Sequence, residues 1–214
     1  MNALIRTGKF LVLAQIAYGP ALAAQWGAAA SIPFGIALAA AAALYFSQPD
    51  IRVTEIRRDA SRDRMSALLI LFAGLVAHAL PAWEWRLRGF PGMEGPLQVA
   101  GVVLVVSGLI WRIRSIRILG RFFSATVRIR NDHRLISQGP YHWSRHPSYL
   151  GALIAMIGHA LVLGAPGSAL GVAAVLIPVY SYRIRVEEAA LIQAFGSEYR
   201  AYSRSTARLI PFIW

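Results

Sequence analysis

Cysteine is absent from the 214 residues, which excludes disulfide frameworks, thiolate metal sites and cysteine nucleophiles together. No two glycines are separated by a single residue, so the chain has neither a dinucleotide fingerprint nor a glycine-rich phosphate loop. His-Glu-x-x-His and Gly-x-Ser-x-Gly are missing as well, which weakens zinc-protease and serine-hydrolase readings. Charge is scarce. Only 15% of the residues are charged, against roughly a quarter in a soluble domain, and none lies within 10–49 or 147–182. A bilayer span takes roughly 20 apolar residues, so each run has room for about two. The first run is also far longer than the apolar stretch of a cleavable signal peptide.

What is present agrees with a membrane chain: 57% hydrophobic residues and a mean hydropathy of +0.50. The pattern predicts spans near 9–26, 32–48, 65–82, 96–113, 148–163 and 169–182, with turns at Gly27, Ser31 and Pro33 and at Gly164-Ala165-Pro166-Gly167. The expected fold is all-α, a polytopic membrane helix bundle of about six spans in one integral domain, 1–214. Residues 1–110 form its N-terminal spans. Of the 22 Lys and Arg, all but Arg86 and Arg88 fall on one side of this topology. That asymmetry puts both termini, the Arg-rich loop and the tail in the cytoplasm. The net charge of +12 then reads as topology and attraction to anionic membrane lipid, with no nucleic-acid partner.

Two cytoplasmic segments are long enough to build a site. The first ends in His133-Arg134-Leu135-Ile136-Ser137-Gln138-Gly139-Pro140-Tyr141-His142-Trp143-Ser144-Arg145-His146-Pro147-Ser148-Tyr149. Gly139-Pro140 marks a turn, and Pro147 suits the first turn of the next helix. His146 and Tyr149 would then stand at a helix N-terminus, which favours an anionic or electron-rich group. An interfacial belt of Trp, Tyr and Arg explains the same residues without a site. In the second segment Glu187 falls inside the apolar stripe of Ile184, Leu191 and Phe195, where a carboxylate is costly unless a cation meets it. Arg183, one turn earlier, is that cation or the partner in an ordinary i,i+4 pair. His78 and His159, inside spans, are expected to hydrogen-bond between helices. No metal site is expected.

These blocks resemble the isoprenylcysteine carboxyl methyltransferase family and its phospholipid methyltransferase relatives. The matching blocks run from His133 to Tyr141, through Arg145-His146-Pro147-Ser148-Tyr149, to Arg183, Glu187-Glu188, Leu191-Ile192 and Phe195-Gly196, then Tyr199, Tyr202 and Leu209-Ile210-Pro211-Phe212-Ile213. The resemblance implies that residues 111–214 are the catalytic core, binding S-adenosyl-L-methionine between the cytoplasmic loop and the C-terminal amphipathic helix. By that similarity the cofactor contacts are His133, Arg134, Leu135, Ile136, Gly139, Tyr141, His146, Pro147, Ser148, Tyr149, Glu187 and Glu188. Arg183 and Glu187 are the expected catalytic pair, with Arg183 holding the substrate. A Gln that the family carries before the first block is missing from 121–132.

The implied reaction transfers methyl to a carboxylate of a hydrophobic or lipidated substrate entering from the bilayer. Phe122, Phe123 and Trp111 either line that route or simply fill space. An amine acceptor, such as a phospholipid headgroup, would need a base such as His142 or Glu188. A sterol-reductase-like enzyme using reduced nicotinamide and a non-enzymatic membrane protein are the remaining alternatives.

Overall fold

The computed structural model describes residues 2–23, 25–48, 61–93, 95–124 and 134–211. Its elements are α1 (Asn2–Leu22), a 3-10 turn at Trp26–Ala30, α2 (Ile32–Ser47), α3 (Ser61–Leu87), α4 (Pro96–Leu119) with a 3-10 turn at Gly120–Phe122, α5 (Pro140–Trp143), α6 (Pro147–Val162) and α7 (Pro166–Ser205). The described residues contain no named strand, only an isolated bridge between Ser144 and Ala207. The protein is thus an all-helical membrane bundle. Three helical stretches are long and apolar enough to cross a bilayer: Met65–Leu87, Pro96–Phe122 and Pro166–Ser205. The apolar helices Ile32–Ser47 and Pro147–Val162 are shorter.

The helix ends explain themselves chemically. Proline occupies the first turn of α4, α5, α6 and α7, where its missing N–H costs nothing. Gly164, at φ 65°, makes the expected turn between α6 and α7. The Glu84 carboxylate then accepts from the N–H groups of Gly167 and Ser168, so an anion meets the positive end of α7.

The N-terminal boundary differs from the sequence expectation. Helix α1 starts at Asn2, because the Arg6 guanidinium is absorbed by the C-terminal carbonyls of Tyr45, Phe46 and Gln48. The last span and the C-terminal helix form one continuous element, α7, bent where Gly196 takes φ 53°.

The tightest contact joins α4 to α6. The buried face of α4 is Gly101, Val105, Gly108, Arg112 and Ser115, a helical stripe at three- and four-residue steps. A Cβ on Gly108 would sit 2.6 Å from the Ala155 nitrogen and 2.7 Å from the Gly151 oxygen. Backbones meet here because no side chain intervenes. Toward the opposite end of the bundle, Tyr18 Oη lies 2.8 Å from His159 Nε2 and 3.1 Å from His78 Nδ1. Both histidines therefore serve helix packing, with Tyr18 of α1 as the shared partner.

Candidate active site

At the end of the bundle where α4 and α7 leave the apolar layer, a cleft opens between the Gly120–Phe122 turn, the extended segment 134–136, α5, the start of α6 and the second half of α7. Its walls include Leu119, Phe122 and Phe123 on one side and Leu191, Phe195, Tyr199 and Tyr202 on the other. Arg134, Leu135, Ile136, Tyr141, Arg145, His146, Ser148, Tyr149 and Glu187 complete it. The space is about 830 Å³, part of it open to solvent.

Local geometry places these groups. Gly139 takes φ 60°, which lets Pro140 start the single turn of α5 and bury Tyr141. Tyr202 Oη donates to the Tyr141 carbonyl at 2.6 Å, tying α7 to that turn. The chain then runs extended through Ser144, whose hydroxyl donates to the Leu209 carbonyl at 2.8 Å, while the Arg145 N–H donates to Ala207. Residues 206–210 thus form a strap across the loop. His146 follows as the cap of α6, with Pro147 behind it.

Glu187 is the carboxylate facing the cleft. Tyr149 Oη donates to its Oε1 at 3.3 Å, His146 Nδ1 is 3.3 Å from its Oε2, and Arg183 Nη2 is 3.9 Å from Oε1. Burial alone would raise its pKa. The bond from His146 and the charges of Arg183 and His146 instead hold it below the ordinary carboxylate value. Burial pushes His146 down, but its contacts with Glu187 and Glu188 prevail and raise it above the usual imidazole value. Each partner thus favours the charged form of the other.

Glu188 points elsewhere. It does not line the cleft; Arg145 Nε reaches its Oε1 at 2.8 Å and Arg208 Nε its Oε2 at 3.0 Å. Despite burial, His146 and Arg145 hold its carboxyl down to about 2. Gly139 and Pro147 shape the backbone without lining the cleft, and His142 is exposed outside it. Trp111 is also not among the lining residues, whereas Phe122 and Phe123 are. His133 lies outside the described residues.

Arg183 sits behind the cleft wall, 1% exposed, donating from Nη1 to Ser66 Oγ at 2.7 Å and from Nε to Tyr149 Oη at 3.3 Å. A second guanidinium, not foreseen, belongs to Arg112. It is equally buried and donates to Ser47 Oγ at 2.8 Å and to the Ser148 carbonyl at 2.9 Å; Tyr149, Tyr141 and Tyr180 are its electrostatic neighbours. Its Nη2 is buried without a hydrogen bond, and among the described residues no carboxylate pairs with it. A buried cation without an anion is costly. The periodic face Gly101, Gly108, Ser115 was the signal that could have found Arg112.

Comparison with known proteins places the same stretch in context. A profile of the isoprenylcysteine carboxyl methyltransferase (ICMT) family matches residues 101–193. Protein-S-isoprenylcysteine O-methyltransferase A of Arabidopsis thaliana is 34% identical over 160 residues, 72% of this chain and 81% of that protein. The Saccharomyces cerevisiae protein-S-isoprenylcysteine O-methyltransferase is 42% identical over 117 residues, 54% of this chain and 49% of that protein. The solved structure of a eukaryotic intramembrane Ras methyltransferase shares the fold, with a TM-score of 0.61 at 23% identity, covering 98% of this chain and 76% of its own.

Proposed function

The chain belongs to the isoprenylcysteine carboxyl methyltransferase family of membrane enzymes, and from that premise we propose that the cleft binds S-adenosyl-L-methionine and that the acceptor is the carboxylate of a prenylated or similarly lipidated substrate. The observation that carries the reading is Glu187: a carboxylate open to a cleft, with the buried Arg183 guanidinium one turn away at 3.9 Å.

The donor set fits such a cofactor. Glu187 retains lone pairs for an ammonium group beyond those used by Tyr149 and His146. Tyr141, Tyr199, Tyr202 and Phe195 offer flat faces for a ring, and the exposed backbone of 134–136 offers hydrogen-bonding groups. When bound, S-adenosyl-L-methionine supplies an electrophilic methyl on a sulfonium. The chain's own residues hold, orient and desolvate. A carboxylate is already a nucleophile at neutral pH, so transfer to it rests on orientation and exclusion of water. Arg112 holds the Ser148 backbone, and Arg183, beside Tyr149, would fix the acceptor carboxylate. Contact through one oxygen leaves the other free to attack.

The same geometry disfavours an amine acceptor, which needs a base to remove its proton. Glu188 is committed to two arginines and held at about 2, His146 stands between two carboxylates that raise its pKa, and His142 stands outside the cleft. Phe122 and Phe123 give one wall an apolar edge toward the membrane layer, which supports lateral entry of the lipid. Under this reading residues 111–214 are the catalytic core, and the cleft and both termini face the cytoplasm.

The test is calorimetric titration of purified protein with S-adenosylhomocysteine. Saturable binding that Glu187→Ala weakens, with helical content intact, is the expected result. Absence of binding, or equal affinity in the variant, contradicts the assignment.

A further inference from the structure

The adjacent carboxylates Glu187 and Glu188 divide their labour. Consecutive residues on a helix project about 100° apart, so one enters the cleft while the other meets the loop and the tail. His146 stands between them, Nδ1 3.3 Å from Glu187 Oε2 and Nε2 3.5 Å from Glu188 Oε1. Behind Glu188 are Arg145 at 2.8 Å, Arg208 at 3.0 Å and the Tyr199 hydroxyl at 3.4 Å. Arg145 also donates from Nη1 to the carbonyls of Ser203, at 2.8 Å, and Thr206. Loop, helix and strap are thereby joined at one carboxylate.

We propose that Glu188 is a positioning residue: anchored by Arg145 and by Arg208 of the C-terminal strap, it fixes His146, which aims Glu187 into the cleft, so that docking of residues 206–210 and binding of cofactor are linked. This inference rests on the reading of the cleft as the cofactor site. It replaces a direct contact between Glu188 and cofactor with an indirect role.

The geometry supports the order of action. Glu187 is 23% exposed along its side chain, Glu188 only 10% and His146 6%, so Glu188 is enclosed behind the cleft, His146 lines it, and Glu187 is the most open of the three. A buried ring with a carboxylate beside each nitrogen has one preferred orientation, and a carboxylate paired with a fixed ring keeps its rotamer. If residues 206–210 detach, Arg208 leaves Glu188, Arg145 loses the Thr206 and Ala207 carbonyls, and the constraint on His146 relaxes. Linkage is reciprocal: whatever tightens the cofactor tightens the strap.

The charged and titratable groups facing His146 are Glu187 and Glu188 from α7, Arg145 from its own loop and Tyr149 from α6. Arg208 and Tyr199 act through Glu188, and Arg183 through Glu187. Removing the Glu188 charge takes away one of the two anions that hold the imidazolium, so its titration midpoint must fall.

Two readings on detergent-purified protein test the proposal. The His146 midpoint is followed by NMR of histidine-labelled protein, with the signal assigned by its loss in His146→Gln. S-adenosylhomocysteine affinity is measured by calorimetry. Glu188→Gln is expected to lower the midpoint by about one pH unit and to weaken the ligand about tenfold. Arg208→Gln, at a partly exposed side chain that tolerates change, is expected to weaken the ligand several-fold, with Arg208→Lys restoring most of it. A merely structural role would lower the melting temperature without moving the midpoint, and that result overturns the proposal. Wild-type binding with both readings unchanged in Glu188→Gln overturns this inference alone. A wild-type protein that binds no S-adenosylhomocysteine overturns the cofactor reading and this inference with it.

Discussion

Arg112 Nη1 donates to the Ser148 carbonyl across 2.9 Å, joining the last turns of α4 to the first turn of α6 and leaving Nη2 buried without a partner. An arginine held this way fixes the backbone of Ser148, a residue of the cleft wall. Arg112→Lys keeps the charge but loses the planar fork. Methyl transfer is expected to slow about 100-fold, the size of effect that misplacing a reactant by about 1 Å produces, while S-adenosylhomocysteine affinity stays within about threefold. Steady-state rates beside calorimetric affinities check it; an equal loss in both would move Arg112 to the cofactor.

Glu187 carries the opposite expectation. Glu187→Gln should weaken S-adenosylhomocysteine by about 10- to 100-fold, corresponding to loss of one charge-assisted hydrogen bond. Glu187→Asp should recover little, because the shorter side chain withdraws from Tyr149 and His146. Direct titration of the three proteins decides it.

Stability should depend on pH in a window set by the same cluster. His146 is raised in the fold above its ordinary 6.5, so its contribution is complete below about 6.5 and is lost as pH rises through the raised value. Glu188 is depressed from 4.5 to about 2, so its contribution is present above about 4.5 and is lost as pH falls toward 2. Thermal midpoints in detergent should peak between these limits. The alkaline decline should be shallower in His146→Gln.

Contact between α4 and α6 should tolerate no side chain at Gly108. A Cβ there meets backbone atoms of α6 at 2.6 and 2.7 Å, which cannot rotate away. Gly108→Leu is expected to cost about 3 kcal/mol, read as a lowered thermal midpoint with early loss of cofactor binding, since α4 carries Arg112 and the cleft wall.

Much of this molecule was legible from the chain. The uncharged run 147–182 is too long for one span and holds Gly164-Ala165-Pro166-Gly167, so the turn between α6 and α7 could be placed. Charge misled at α1, where Arg6 looked like a boundary but is capped by carbonyls some forty residues away. The continuation of α7 past residue 182 was legible because residues 183–195 contain no breaker, and polarity alone does not end a helix. Eight of the residues lining the cleft, Tyr141, His146, Tyr149 and Glu187 among them, are ones that the family resemblance implied for the cofactor. Arg112 was not foreseen, because it counted as one more cytoplasmic charge; its burial depends on Ser47 and Ser148, which only the folded chain brings to it. Glu188 looked equivalent to Glu187 for a similar reason. Which of two neighbouring carboxylates faces the cleft is decided by Arg145 and Arg208, from separate segments.

The central claim is methyl transfer to a carboxylate at this cleft. Its most direct measurement is incubation of purified protein with methyl-labelled S-adenosyl-L-methionine and a prenylated cysteine bearing a free carboxylate, followed by mild base. The account predicts label released as volatile methanol, lost in the Glu187→Gln and Arg112→Lys proteins. Label that enters product but resists base, as on nitrogen, would contradict it.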